Sequence, residues 1–294
     1  MAAFGALLTP EILDGDTLSA VKRMVRHETS RFNRDPPYSN SDKKDSKAEE
    51  NAWNANVLVL AQAMMPNISD LKWVRRRASQ WLASAYSRPS DLINQRSVDG
   101  RPIAQWLGGY NMFEDGYVYN HGRIHPDYIA AIELQLWNVL FLSVVRQEIP
   151  QAADWNVDVA YRCLVDYEWT SPPFKTPGGT IYVDGEAKVH YPQGTDWSPM
   201  RVDNFFALDV LVSVLGLDQK VSTKGDAWAL LRADYMLKMQ SREGTGQLFI
   251  PADQFNFAPK ESFAALHFCY AYLALWLKQH DRISPIRNWL TPTQ

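Results

Sequence analysis

Two histidines, a tyrosine and two aspartates in the middle of the chain could together perform acid/base chemistry. His121 and His125 precede Tyr128, while Asp115 lies upstream and Asp196 lies further along the chain. A neutral imidazole can remove a proton, a phenol can donate one, and a carboxylate beside aromatic residues can do either. A histidine beside a helix start also feels the positive end of the helix dipole, which favours its neutral form.

The spacing of these two histidines also raises the question of a metal site. Ligands four residues apart share one face only when both lie on the same helix. Gly122 lies between His121 and His125, and Pro126 follows them, so we expect the helix to begin after His125. We therefore predict no metal and no cofactor. The histidines are assigned to acid/base roles, with helix capping and packing as the alternative.

Glu50 is a further catalytic candidate, because it places a carboxylate on the first turns of an otherwise apolar helix. Asn51 and Asn54 accompany it, and Glu50 and Asn54 are four residues apart and share a face. The alternative is a buried polar network that ties loops together. The remaining predicted substrate-binding residues lie in or beside long loops: Asn111, Asn120, Tyr191, Trp197, Arg201, Arg242 and Glu243.

The elements that would position these residues are predicted to be mainly helices. Ser46 to Glu49 has the pattern of a capping box and should open an apolar helix that ends near residue 65. Hydrophobic periodicity predicts further helices at about 10–32, 70–86, 126–145, 152–168, 199–215, 226–240 and 260–278. Two β-prone runs around Asp184-Gly185 predict one small β-hairpin over 180–191.

Apolar and amphipathic helices alternate along the chain, and this alternation indicates two layers. An apolar helix must be enclosed, whereas a helix with one apolar stripe lies outside. We predict an all-α fold, a single α/α-toroid domain over 1–294 with four to six helical hairpins. The inner helices would begin near Lys47, Pro126, Pro199 and Lys260, with their N-termini at one mouth. Such a mouth is mildly positive and suits an anionic ligand.

Composition excludes several classes of protein. The chain has 294 residues and a net charge of −3, which argues against a nucleic-acid partner and a polybasic membrane surface. Its longest apolar run, 263–277, is shorter than a membrane span needs, so no membrane partner is expected. Two cysteines and no recognisable signal sequence favour a cytoplasmic location. The glycine-rich phosphate-binding motifs and the G-x-S-x-G motif are absent from the sequence.

In layout and residue inventory the chain resembles the α/α-toroid domains of polysaccharide lyases, including the heparinase II/III and alginate lyase groups, and α/α-barrel glycoside hydrolases. The lyase resemblance implies an asparagine that neutralises a uronate carboxylate, with histidine and tyrosine for proton transfer. Asn111 or Asn120, His121 or His125, and Tyr128 or Tyr191 could fill these roles. The hydrolase resemblance implies two carboxylates, drawn from Glu50, Asp115 and Asp196. The chain is shorter than those families and shows fewer than six clear helix pairs.

These observations predict a carbohydrate-active enzyme that cleaves a glycosidic bond by elimination or hydrolysis. Its substrate would be an oligosaccharide or another small molecule, and the oligomeric state is left open. One alternative is a cyclase or isomerase that acts on a hydrophobic terpenoid- or polyketide-like intermediate. A second alternative is a glycan-binding protein without catalytic activity.

Overall fold

The computed structural model describes residues 2–40, 45–170, 174–176, 178–196, 201–250, 253 and 260–283. It is 58% helix and 4% strand, which confirms a mostly helical fold. The chain divides into two compact units, the first Met1–Glu114 with Leu134–Trp155 and the second Asp115–Glu133 with Asn156–Gln294. The toroid and the single domain stay predictions.

The bounds of the helices are α1 Ala2–Leu8, α2 Gly15–Thr29, α3 Ala48–Met64, α4 Leu71–Ala85, α5 Pro126–Ala130, α6 Ile132–Val144, α7 Val157–Asp166, α8 Val202–Leu215, α9 Gly225–Gln240 and α10 Lys260–Gln279. Helices α2 to α10 follow the predicted order along the chain, whereas α1 was not predicted and the helix predicted over 126–145 is divided at Ala131 into α5 and α6. Two small antiparallel hairpins pair β1 Ser97–Val98 with β2 Arg101–Pro102 and β3 Tyr119–Asn120 with β4 Arg123–Ile124.

The first unit is organised around the packing of α3 against α4. Leu58 and Val59 of α3 are fully buried, as are Ala78 and Trp81 of α4. The ring of Phe32 packs edge-on against Trp81 with a centroid distance of 5.2 Å. Burial of this apolar stripe stabilises α4, whose opposite face carries charged side chains.

In the second unit, α8 packs against both α9 and α10. Helix α8 is buried on nearly all sides, as its apolar sequence predicts. Gly225 opens α9 where a Cβ atom would lie 2.5 Å from the carbonyl oxygen of Asp209, so the two helices approach closely at this point. A cluster around Phe249, Met236 and Met239 fills the space beside the first turn of α8.

Two local predictions, one on a helix start and one on a hairpin, are wrong. Ser46 is not the N-cap residue of α3, because the helix begins at Ala48 with Lys47 as its N-cap, and the hydroxyl of Ser46 accepts the N–H of Ala48 at 3.1 Å. The hairpin over 180–191 is reduced to one bridge between Tyr182 and Val189. The predicted helix start at Ser198-Pro199 lies outside the described residues, and the described part of α8 begins at Val202.

The third wrong prediction concerns α10, which was expected to be enclosed. Tyr272 is 70% exposed and Leu275 is 43% exposed, so one apolar face of the helix is open. The buried residues of the helix include Ala264, Ala271 and Ala274 and also the larger Tyr270 and Leu277. The helix therefore packs along one stripe although its sequence is apolar on several sides.

One segment within the described residues, Pro126–Val144, is long and apolar enough to cross a membrane by length and composition. However, 94% of the most apolar 18-residue stretch in this segment is buried inside the protein, as in the core helix of a globular unit. This burial accounts for its apolar character without a membrane.

Candidate functional site

The β3–β4 hairpin positions His121 at the tip of a two-residue turn. His121 has a φ of 52° and Gly122 a φ of 72°, and two positive values are what a type I′ turn requires. A positive φ is unusual for histidine and is maintained only when surrounding contacts fix it. The hairpin therefore holds the imidazole of His121 in a defined place.

His125, His121, Tyr128 and Asp196 form a compact group, which we call the His-Tyr-Asp cluster. Nδ1 of His121 lies 2.7 Å from Oδ2 of Asp196, and Nε2 of His125 lies 3.2 Å from Oδ1 of the same carboxylate. The hydroxyl of Tyr128 lies 3.3 Å from Nε2 of His121. Four of the predicted catalytic residues are thus brought together by the second unit.

Helix α5 and one loop supply the remaining members of this cluster. His125 is the N-cap residue of α5, with Pro126 at the first helical position as predicted. The loop that carries Asp196 is tied to the hairpin by Gln193, whose Oε1 accepts the N–H of Ile124 at 2.7 Å. This hydrogen bond joins segments about seventy residues apart and brings the carboxylate to the histidines.

Electrostatics in the cluster favour a charged Asp196 and a neutral His125. Desolvation acts to raise the pKa of Asp196, but hydrogen bonds to His121 and His125 outweigh it and lower that pKa to about 2. Burial lowers the pKa of His125, and the attraction of Asp127 and Asp196 offsets this only in part. At neutral pH the cluster therefore contains a charged carboxylate hydrogen-bonded to the neutral, buried imidazole of His125.

The same three groups could also hold a metal ion. One ligand atom each from His121, His125 and Asp196 lies within 4.8 Å of the other two. The two histidines converge through the β-turn, although they do not share a helix as the i,i+4 argument assumed. The prediction that no metal is bound stays a prediction.

Beneath the cluster lies a buried aspartate, Asp127 of α5, with three partners. The hydroxyl of Tyr191 donates to it at 2.9 Å, Nη1 of Arg201 lies 4.0 Å from it, and Nδ1 of His125 lies 3.7 Å from it. Burial raises the pKa of Asp127, although Arg201, His125 and Tyr191 act against this. Tyr191 is committed to this carboxylate, whereas 29% of the Arg201 side chain is exposed.

Other predicted residues of the second unit take different positions. Asn120 is buried in β3 next to His121, and Asp115 is exposed. Arg242 pairs with Asp253 and donates to the carbonyl of Leu248, which fixes the loop after α9, while the side chain of Glu243 is exposed. Trp197 lies outside the described residues.

The candidates in the first unit form a network that holds backbone groups. The side chain of Asn51 accepts from the N–H of Tyr38 and donates to its carbonyl. Asn111 accepts from the N–H groups of Asn40 and Lys47 and donates to two carbonyls. These amides match the alternative reading, a polar network that ties loops together. Their predicted substrate contacts stay untested.

The two remaining candidates on α3 contact cationic side chains. Glu50 pairs with Lys47 at 2.9 Å, and Asn54 accepts from Arg31 at 3.3 Å. Lys47 also pairs with Asp45 at 2.7 Å, so Glu50 belongs to a small ion-pair group on the first turn of α3. This geometry assigns Glu50 a charge-pairing role and leaves its catalytic role a prediction.

Sequence reasoning missed two buried charged groups in the second unit. His267 of α10 lies between Asp203 at 2.7 Å and Glu133 at 3.1 Å. Asp209 of α8 pairs with Arg232 of α9, and both are fully buried. A charged residue inside an apolar helix was the available signal, because such a residue needs a partner from elsewhere in the fold.

No protein-family model, curated protein or solved structure matches the chain.

Proposed function

We propose that the chain cleaves a glycosidic bond in a uronate-containing polysaccharide by β-elimination, with the His-Tyr-Asp cluster as its active site. One observation carries the proposal: His121 is held by Asp196 through Nδ1 and faces the hydroxyl of Tyr128 through Nε2. An oriented imidazole beside a phenol supplies the base and the acid that elimination needs.

The proton transfers follow from this arrangement. His121 donates a hydrogen bond from its Nδ1–H to Asp196 and keeps that proton, so Nε2 carries the lone pair and removes the proton from the carbon next to the uronate carboxylate. The released electron pair forms a carbon–carbon double bond and the bond to the leaving glycosidic oxygen breaks. Tyr128 gives its proton to that oxygen, and protonated His121 then returns a proton to Tyr128 across their contact of 3.3 Å.

The uronate carboxylate needs a positive partner to acidify the neighbouring proton. Arg201 is the cation that belongs to the Asp127 group beneath the cluster, and part of its side chain is open to solvent. Asn120, next to His121 in the chain, is the amide that the lyase resemblance offers for the same role. We assign the carboxylate contact to Arg201, because a charge stabilises the developing negative charge more strongly than an amide.

Hydrolysis receives less support from the same geometry. It requires two carboxylates that face one bond, one as acid and one as base or nucleophile. Asp127 is buried and accepts from Tyr191, while Asp196 is held by two imidazoles. The cluster thus offers one accessible carboxylate, with an imidazole and a phenol in the places where chemistry would occur.

The test is the ultraviolet absorbance of the unsaturated uronate, measured on a panel of acidic polysaccharides. We expect His121→Ala, Tyr128→Phe and Asp196→Asn each to lower kcat at least about a hundredfold with little change in Tm. Matched controls are His27→Ala and Tyr272→Phe, which alter exposed residues of the same types. Full turnover in His121→Ala would refute the mechanism, and reducing ends without absorbance would indicate hydrolysis. Binding without turnover would favour a glycan-binding protein.

A metal-dependent lyase is the second candidate, favoured by the spacing of the three ligand atoms. In this version His121, His125 and Asp196 would hold a divalent cation, which would neutralise the uronate carboxylate. Activity lost on chelation and restored by one added cation would support this version. Activity unaffected by chelation would support the metal-free mechanism.

A further inference from the structure

A cavity of about 540 Å³ lies within the first unit, away from any residue of the His-Tyr-Asp cluster in its lining. The volume is in the range of small-molecule binding sites. Its lining includes Lys72, Arg75 and Arg76 of α4, and Arg101 of β2. We propose that this cavity is a second binding site for an acidic oligosaccharide, and this assignment of the ligand rests on the proposed function.

The helix geometry explains why the cations share one wall. Lys72, Arg75, Arg76 and Ser79 are spaced as residues i, i+3, i+4 and i+7 of α4, so they occupy one face. A rise of about 1.5 Å per residue separates successive charged turns by about 5 Å, comparable to the length of one sugar ring. Such a row suits a linear chain that repeats its negative charges.

These cations remain available to a ligand. Among the described residues, Lys72, Arg75 and Arg76 form no ion pair with the protein. The guanidinium of Arg101 lies over the ring of Trp106, 4.4 Å from its centroid, which holds it at the cavity wall. The site therefore carries positive charge that no carboxylate of the described residues neutralises by direct contact.

Two acidic residues also line the cavity, and one of them is already engaged. The carboxylate of Asp99 accepts the N–H groups of Gln151 at 2.6 Å and of Ala152 at 3.2 Å, so it fixes a turn of the chain. Glu148 is exposed. Four cations against these two carboxylates leave a positive balance that favours an anionic ligand.

One buried polar atom indicates that the ligand also carries hydroxyl groups. Gln62 of α3 lines the cavity, and its Oε1 is buried without a hydrogen-bond partner in the described part of the chain. A buried acceptor of this kind needs a donor. Sulfate, phosphate dianion and carboxylate are acceptors only, whereas a sugar hydroxyl can donate to Gln62. An acidic sugar therefore fits the cations and the amide together.

The decisive measurement is binding of a uronate hexasaccharide and of a sulfated hexasaccharide to the full chain carrying His121→Ala, which prevents turnover. We expect Arg75→Ala/Arg76→Ala to weaken binding at least tenfold for one of the two ligands. Arg23→Ala/Lys238→Ala removes the same charge from exposed positions elsewhere and should leave binding within twofold. A neutral hexasaccharide should not bind at the cavity.

A second variant tests the hydroxyl contact, and its substitution keeps the charge of the site. Gln62→Met should weaken hexasaccharide binding several-fold and leave the binding of inorganic sulfate unchanged. Equal affinity for inorganic sulfate and hexasaccharide, or equal affinity in the Arg75/Arg76 variant and its control, would overturn the proposal. If the natural chain shows no elimination activity, only the proposed function is refuted. The second binding site is still tested, because the binding measurement does not depend on turnover.

Discussion

Raising the pH from 6 to 10 should destabilise the second unit through one buried residue, His267. Its Nδ1 lies 2.7 Å from Asp203 and its Nε2 lies 3.1 Å from Glu133. Burial acts to lower the pKa of His267, but attraction to Glu133 and hydrogen bonds to both carboxylates outweigh it and raise the pKa to about 10. The pKa of this histidine in the unfolded chain is about 6.5, and one pKa unit corresponds to about 1.4 kcal/mol. Protonated His267 therefore stabilises the folded state by at most roughly 5 kcal/mol.

The sign of the pH effect follows from the raised pKa of the folded state. The folded protein binds the proton more tightly than the unfolded chain, so the stabilisation is fully present below pH 6.5. It declines as the pH rises and is lost when the pH passes about 10. Acid in the range between pH 5 and 6 should therefore leave this contribution intact.

The assay is the free energy of unfolding in urea, measured at several pH values for the natural chain and for His267→Gln. Glutamine cannot be protonated, so the difference between the two proteins isolates the histidine from lysines and tyrosines that titrate in the same range. We expect the difference in unfolding free energy to fall by several kcal/mol between pH 6 and 10. The reasoning is refuted if this difference is independent of pH.

Two further predictions concern stability. Asp209→Asn should lower the unfolding free energy by about 3–5 kcal/mol in urea titration, because it leaves buried Arg232 without its carboxylate, whereas Asp226→Asn at an exposed position should cost under about 0.5 kcal/mol. Gly116→Ala should cost more than Gly185→Ala in the same titration. Both glycines have positive φ, but only at Gly116 would a new Cβ lie 2.4 Å from a backbone oxygen of α7; equal losses would exclude the steric cause.

The helices were predictable because each carries a strong local signal. The pattern over 70–86 predicted α4 within one residue at each end, and the patterns at 226–240 and 260–278 did the same for α9 and α10. Hydrophobic periodicity is set by the pitch of the helix itself, so it can be read without knowing the partner surface. Exposure could not be read in this way, as the open face of α10 shows.

The site was predictable in its residue types and not in its pairings. His121, His125, Tyr128 and Asp196 were recognised from their chemistry. The contact between Asp196 and the two imidazoles depends on a loop about seventy residues away that Gln193 ties to the hairpin. Long-range pairing of this kind leaves no periodic signal in a single sequence. The same reason explains why the carboxylates around His267 were missed.

Each of the two proposed sites lies beside a two-residue β-turn with positive φ at both positions. Asp99-Gly100 forms the turn beside the basic cavity, and His121-Gly122 forms the turn at the His-Tyr-Asp cluster. In each pair glycine takes the second position at little steric cost, while the first residue accepts a strained conformation that its side-chain contacts stabilise. A polar residue before glycine between two short β-prone runs was therefore the sequence signal available for both hairpins. This signal was weak because each strand is only two residues long, so the side chain at the turn, and not the strand pairing, makes the long-range contacts of each hairpin.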